Sequence, residues 1–363
     1  MDIGIPKETK NHEYRVGLTP NSVKQLISDG HNVYVEHDAG RAIGFLNEDY
    51  TNAGAKVTKK PSELYDRSSL IVKVKEPTPE EHKYLNEKHT LFAYLHLAGD
   101  PINAIKLAET GVTAIALETV TADDGSMPLL SPMSKIAGQL SFIVGSYYLL
   151  KPNNGIGTII GGVDDIEPRT VTVIGGGVAG SEAIKKAIEN KAYVQVLDLS
   201  QRKLDILKEK LGSNSIEYIL SSDKAVQTAI QKSDLIIGAV YVIGKKAPKV
   251  ITRSMLEKMR PGSVMVDISI DQGGCFETSK PTTHSNPVYV ENEIVHYCVT
   301  NMPGAVPLTA TDALNKATLP YVRELANKGI KNALSENIHL ANGLNIKNFL
   351  IVNESVQEDL QLT

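Results

Sequence analysis

Short apolar runs alternate with segments of helical period along most of the chain. "DIGIP" predicts a strand. "LTPNSVKQLISDG" predicts a helix, with Thr19 as N-cap, Pro20 in the first turn and Gly30 at its end. "HNVYVEH" reads as the next strand, and "NEDYTNAGAKVT" and "PSELYDRSSLIVKVKEP" repeat the helix-to-strand rhythm. The helix "TPEEHKYLN", the strand "TLFAYLHLA", the helix "PINAIKLAETG" and the strand "VTAIALET" follow. Such alternation predicts a parallel sheet covered by helices on both faces. After the turn-rich "DGSMPLLSPMS", the stretch "SKIAGQLSFIVGSYYLLK" has Ile136, Leu140, Ile143, Val144 and Tyr147 at helical spacing, which predicts a helix joining two domains. "KPNNGIGTIIGGVDDIEP" reads as a surface segment.

A second run starts at "TVTVIGGGVAGSEAIKKAIENKAYVQVLDLS". It continues through the helix "QRKLDILKEKL", the strand "IEYILS", the helix "DKAVQTAIQKS", the strand "DLIIGAV", the helix "RSMLEKM" and the strands "SVMVDISI" and "VHYCVTN". "TDALNKATLPYVRELANKG" predicts a long helix that can cross back to the first domain and make it discontinuous.

Composition narrows the class. A length of 363 residues suits two domains. Aromatic residues make up 5% and Trp is absent, so the core is expected to be aliphatic. The formal net charge of −4 argues against nucleic acid or an anionic membrane as partner, since both call for a basic surface. Cys275 and Cys298 are the only cysteines, and no cysteine–histidine spacing suggests a metal site or a disulfide framework. "MDIGIPKETK" lacks the features of a secretory signal, and "LSFIVGSYYLL" is too short to span a bilayer. A cytoplasmic protein is expected.

The most informative motif is "TVTVIGGGVAG", which sets Gly175, Gly177 and Gly180 in a G-x-G-x-x-G pattern. Alone the pattern is weak. Here it follows an apolar strand, opens a helix, and precedes a second strand that ends in Asp198. That context is the signature of dinucleotide binding. Gly175 permits the tight turn, Gly177 lets a pyrophosphate approach the backbone, and Gly180 lets helix and strand pack closely. Asp198 can accept hydrogen bonds from ribose hydroxyls and repels a 2′-phosphate, which favours NAD over NADP. A glycine turn that packs without a ligand is the plainer alternative, and the surrounding context weighs against it.

A hydride cofactor needs a small substrate beside it. In open α/β sheets ligands sit beyond the carboxyl ends of the strands. Lys75 lies at the end of "LIVKVKEP", sharing a strand face with Lys73, and His96 lies at the end of "TLFAYLH". Arg15 precedes the first helix. A lone histidine there is more often a core group with a satisfied ring, and a lone lysine or arginine is more often a solvated charge. All three at one mouth make a kit for an anionic keto or amino acid: Arg15 for the carboxylate, Lys75 for a carbonyl oxygen and His96 for the proton. In the second run, Asp271 sits in the loop "DISIDQGGCFET", either to move a proton or orient a ribose, or as a turn-capping residue. Asn301 and Met302 stand at another strand exit, in reach of a nicotinamide. Cys275 has no base beside it in the local sequence and reads as a packed thiol.

At this point the chain resembles the alanine dehydrogenase / pyridine nucleotide transhydrogenase family. The likeness rests on "GIPKETKNHEYRVGLTP", "LIVKVKEP", "LFAYLHLA", "PLLSPMSKIAGQ", "VTVIGGGVAG", "DISIDQGGCFET" and "NMPGAVPLTATDALNKATLPY", which stand in family order over nearly the whole chain. The resemblance implies an α/β fold of two Rossmann-like, doubly wound parallel-sheet domains. The substrate domain is discontinuous (residues 1–131 and 308–363) and the NAD-binding domain covers residues 132–307. It implies NAD-dependent oxidative deamination of L-alanine to pyruvate and ammonium, the reverse reductive amination, and a homohexamer. By motif, Arg15 and Lys75 hold substrate, His96 and Asp271 handle protons, and Ser134, Asp198, Lys203, Ser221 and Met302 contact NAD. Gln139, Leu308 and Ile243 depart from the family pattern, where arginine, arginine and proline are common. A saccharopine-type dehydrogenase, a transhydrogenase NAD-binding domain and a lapsed enzyme acting as a redox sensor are the rivals. The "QGG" loop running into Cys275 separates the chain from the transhydrogenase pattern, and the retained Arg15, Lys75, His96 and Asp271 argue against a lapsed enzyme.

Overall fold

A computed structural model describes residues 1–212, 214–242 and 246–361. Two compact units divide the chain: Met1–Met133 with Gly304–Thr363, and Ser134–Val242 with Lys246–Pro303. In chain order the strands are β1 (Asp2–Ile5), β2 (Asn32–Glu36), β3 (Lys56–Thr58), β4 (Leu70–Val72), β5 (Thr90–Ala93) and β6 (Thr113–Ala116). Then come β7 (Thr170–Ile174), β8 (Tyr193–Asp198), β9 (Ile216–Leu220), β10 (Leu235–Gly238), β11 (Val264–Asp267), β12 (Val288–Glu291), β13 (Ile294–Tyr297), β14 (Leu344–Lys347) and β15 (Leu350–Ile351). The helices used below are α1 (Pro20–Ser28), α2 (Asn47–Asn52), α3 (Pro61–Arg67), α4 (Pro101–Glu109), α5 (Ser131–Tyr148), α6 (Val178–Glu189), α7 (Gln201–Leu211), α8 (Asp223–Lys232), α9 (Arg253–Leu256) and α10 (Pro307–Lys328).

The first unit has the sheet β15-β14-β6-β5-β4-β1-β2-β3, and the second has β12-β13-β11-β10-β7-β8-β9. All pairs from β1 to β6 are parallel, and β14 and β15 run antiparallel at one edge. In the second unit β12 alone pairs antiparallel. Counting parallel strands from the start of each unit, both sheets have the doubly wound order 3-2-1-4-5-6. The fold class expected from the sequence is therefore the one observed. The cores are aliphatic. Leu91, Ala93, Leu107, Ala114 and Ile346 belong to a buried cluster of the first unit, and Val171, Val173, Ile184, Val194 and Ile237 to one in the second.

Several elements differ from expectation. "TPEEHKYLN" forms only a short 3-10 turn at His82–Tyr84. The Glu81 carboxylate is drawn inward to Lys73, Tyr65, Thr9 and the Thr78 N–H, and this buried network overrides helix propensity. The strand leading to His96 stops at Ala93. Two hairpins, β12–β13 and β14–β15, were not expected. Their turns place Asn292 and Glu293 at φ 50° and 60°, and Asn348 and Phe349 at φ 51° and 66°, so each makes a left-handed turn without glycine.

α5 exists, and the face read from large apolar residues is inward only in part: Leu140 and Val144 pack against the core, as does Phe142. Ile143 and Tyr147 are exposed, whereas Ala137, Ser141 and Gly145 are buried. A Cβ on Gly145 would lie 2.4 Å from Leu235, so small residues let the helix sit close to β10. α10 lies in the first unit. Its buried Asn315 accepts from the Thr19 N–H at 2.8 Å, and Arg323 grips Asp29 at 2.6 and 2.9 Å.

Candidate active site

The second unit builds its glycine turn directly from the end of β7. Gly175 has φ 103°, and a Cβ there would lie 2.4 Å from the Ala239 carbonyl. A Cβ on Gly180 would lie 1.8 Å from the Gly175 carbonyl, so α6 packs on the turn only as glycine. At Gly177 a Cβ would meet nothing within 4 Å, which leaves open space before α6. Gly177 is the N-cap and supplies no side-chain cap, so the first N–H groups of α6 remain available to an anion. Asp198 ends β8 and is 9% exposed. Its Oδ2 accepts from the Gly176 N–H at 2.8 Å and its Oδ1 from the Ser200 N–H at 2.8 Å, which ties the acid to the glycine turn. These features fit a dinucleotide: an open, uncapped helix start for the pyrophosphate and a fixed carboxylate beside it.

The other expected cofactor positions are distributed over the same unit. The Ser221 N–H donates to the Asp198 carbonyl at 2.9 Å. Lys203 lies exposed in the first turn of α7, and Ser134 is half-buried in the first turn of α5. Asn301 has φ 63°. Met302 is 4% exposed and packs in the core of the unit, so its side chain is less open than the sequence suggested. Asp271 sits in the 3-10 turn Ile268–Gln272 beyond β11, half-buried, with no hydrogen bond among the described residues. Both cysteines are free and buried. Burial, and then the charge of Asp267, push the Cys275 thiol well above its ordinary range, which makes it an inert packed group.

In the first unit, Arg15 is 2% exposed. Its Nε and Nη2 donate to the two oxygens of Glu13 at 2.7 and 2.6 Å, and its Nη1 faces the Met133 sulfur at 3.1 Å. The guanidinium edge expected to grip a substrate carboxylate bidentately is thus taken by Glu13. Burial acts to lower the Arg15 pKa, and the Glu13 bonds and charge more than reverse this, so the cation is permanent. Lys73 and Lys75 have different surroundings. Lys73 is 1% exposed and lies between Glu81 at 2.8 Å and Glu8 at 3.4 Å. Lys75 is 8% exposed, and its ammonium has no partner among the described residues. His96 is half-buried, stands at φ 45° and ψ 40°, and stacks on Tyr94 with ring centroids 5.9 Å apart.

Sequence reasoning missed three buried glutamates that hold this segment. Glu8 accepts from the Val74 N–H at 2.7 Å, directly before Lys75. Glu13 accepts from the Arg15 N–H at 3.1 Å. Glu118 accepts from the N–H groups of Leu95 and His96, the latter at 2.7 Å. Glu8 and Glu118 replace the sheet ladder where the chain leaves β4 and β5. Their positions carried one signal: buried acids next to strand exits need N–H partners.

Among the described residues no group of side chains is arranged to hold a metal ion, and no helix is long and apolar enough to cross a membrane. Gln139 donates to Glu182 at 3.1 Å, and Leu308 is exposed in the first turn of α10. Ile243 lies outside the described residues.

Two sheets of order 3-2-1-4-5-6, one opening on a glycine turn with a fixed acid beside it, define a doubly wound α/β protein of the dinucleotide-binding type. Comparison with known proteins narrows the class. The model of the alanine dehydrogenase/PNT N-terminal domain matches residues 4–137, and that of the C-terminal domain matches residues 141–354. The alanine dehydrogenase of Halomonas elongata is 48% identical over 358 residues, covering 99% of this chain and 96% of its own. That of Bacillus subtilis is 46% identical over 361 residues, covering 99% and 95%. A solved L-alanine dehydrogenase superimposes with a TM-score of 0.93 at 46% identity, with 99% of each chain covered. A transhydrogenase from Sinorhizobium meliloti shares the fold, with a TM-score of 0.80 at 23% identity, 98% of this chain and 100% of the other being covered. The chain belongs to the alanine dehydrogenase/PNT family.

Proposed function

We propose that this protein oxidises L-alanine to pyruvate and ammonium with NAD as acceptor, and catalyses the reverse reductive amination. Lys75 is the observation that carries this reading. A buried ammonium without a counter-ion calls for an anionic ligand, while its neighbour Lys73 is already paired. The whole-chain likeness to alanine dehydrogenases supports alanine as the amino acid. Asp198, held by two backbone N–H groups, supports NAD over NADP, because a 2′-phosphate beside that carboxylate is repelled.

The turn of Gly175, Gly177 and Gly180, with Asp198, Lys203, Ser221, Ser134, Asn301 and Met302, would hold the dinucleotide. A bound nicotinamide would supply the acceptor for the hydride, with its electron pair, that leaves the substrate Cα. Lys75 binds the substrate carboxylate and stabilises the oxygen that gains negative charge, and the Arg15 cation, its Nε and Nη2 held by Glu13, adds positive charge rather than a bidentate grip. His96 takes a proton from the water that adds to the iminium carbon and returns one to the departing amine, so that the C–N bond breaks and ammonia leaves. Asp271, with no bond of its own to break, serves as the second proton carrier. We infer a homohexamer, for which a solution mass of six chains is expected, and a cytoplasmic location, which suits two free thiols.

The direct test follows absorbance at the NADH band with NAD and a series of amino acids. Growth of the band with L-alanine, and little with lysine plus 2-oxoglutarate, is expected. No growth with alanine, but growth with another amino acid, overturns the reading.

A further inference from the structure

We propose that Asp267 is a positioning residue that fixes the loop carrying Asp271 and thereby aims the Asp271 carboxylate. The inference rests on the proton role given to Asp271 above. Asp267 ends β11 and is fully buried. Its Oδ1 accepts from the Ser269 N–H at 2.9 Å and from the Cys275 thiol at 3.4 Å. Its Oδ2 accepts from the Cys275 N–H at 2.8 Å and from the Ser279 hydroxyl at 2.5 Å. One donor precedes Asp271 and the others follow it, so a single carboxylate closes the loop at its base. The Asp267 side chain itself is shielded from solvent.

The surrounding residues are shaped to the same end. Gly274 has φ 76°, and a Cβ there would lie 2.7 Å from Asp267 Oδ2. A Cβ on Gly238 would lie 2.4 Å from the Cys275 sulfur, so glycine at the end of β10 makes room for the thiol. On the outer side, Lys249 donates to the carbonyls of Gly273 and Gly274 at 2.6 and 2.8 Å. Asp271 itself makes no hydrogen bond among the described residues, so its direction follows from the backbone that bears it. That backbone is set by Asp267.

The test compares Asp267→Asn, Asp271→Asn and the double variant in the complete enzyme, with alanine and NAD. Misplacing a reacting group by about 1 Å costs on the order of 100-fold in rate. Asp267→Asn is therefore expected to lower kcat about 100-fold, with the alanine KM and NADH affinity within about twofold of the parent. The double variant should be no slower than Asp271→Asn alone, because both remove one function. Ser279→Ala, which removes a single donor, should show a smaller fall of the same kind, and it decides the matter where Asp267→Asn does not fold. Near-native kcat in Asp267→Asn, or losses that multiply in the double variant, overturn the proposal. Native speed in Asp271→Asn with slow turnover in Asp267→Asn removes the role of Asp271, and the positioning role with it. Native speed in both removes Asp267 directly.

Discussion

The two sheets share one strand order, yet their first strand-to-helix connections are built for opposite tasks. In the second unit, residues 175–177 pass straight from β7 into α6, whose start carries no side-chain cap. In the first unit, residues 6–19 separate β1 from α1, and that helix start is closed twice. The Thr19 side chain accepts from the Ser22 N–H, and Pro20 brings no N–H at all. Even the close approach is repeated: a Cβ on Gly17 would meet the Val72 carbonyl at 2.4 Å, and one on Gly175 the Ala239 carbonyl at 2.4 Å. One frame is thus finished in two ways. The second unit offers backbone N–H groups at a bare helix end. The first seals that end and uses the longer connection to mount Arg15, its partner Glu13, and Glu8, which holds the exit of β4.

Substitutions that act on one side only sharpen this contrast. The largest effect is expected for His96→Ala. General acid–base groups supply about 100- to 10,000-fold in rate, so turnover should fall by that order while NADH titration stays unchanged. Near-native turnover would break the assignment of proton chemistry to the first unit. Next comes Gly177→Val. Its side chain would enter open space, so thermal stability should change little, while NADH affinity drops by about tenfold or more as the backbone loses its approach to the pyrophosphate. In the mirror substitution, Thr19→Ala should cost about 1 kcal/mol of stability and leave NADH affinity alone. A loss of NADH affinity there would erase the distinction between the two helix starts.

The smallest effect concerns pH. Burial raises the Glu8 carboxyl from 4.5 to about 7, against the pull of Lys73. A raised acid favours the folded state when protonated, so its contribution is present below pH 4.5 and is lost as pH rises through about 7. The melting temperature of the parent should therefore fall relative to Glu8→Gln between about pH 5 and 8. Parallel melting curves across that range would place Glu8 outside the buried charge network.

What the sequence disclosed follows from how local the physics is. The glycine turn was legible because each glycine answers a clash within a few residues of itself, or in the neighbouring strand. His96 and Lys75 could be singled out as candidates because strand exits in an open α/β sheet face ligand. Glu8, Glu13 and Glu118 were not legible, because each matters through a backbone N–H, and for Glu8 and Glu118 that N–H is far off in the chain. Asp267 was hidden by its neighbour: of the two acids in "DISID", only the one in the loop, Asp271, looked chemical. The hairpins were missed because their turns use Asn-Glu and Asn-Phe in place of glycine, and the face of α5 was only partly legible because small residues such as Ala137, Ser141 and Gly145 share its inner side with Leu140, Phe142 and Val144.

The return of α10 to the first unit has a consequence during synthesis. The second unit is complete once the ribosome has passed residue 303, whereas the first still lacks Asn315, Arg323 and the β14–β15 edge. The later half of the polypeptide can therefore be native before the earlier half is. The nascent N-terminal sheet must wait, partly assembled, for its own tail to emerge.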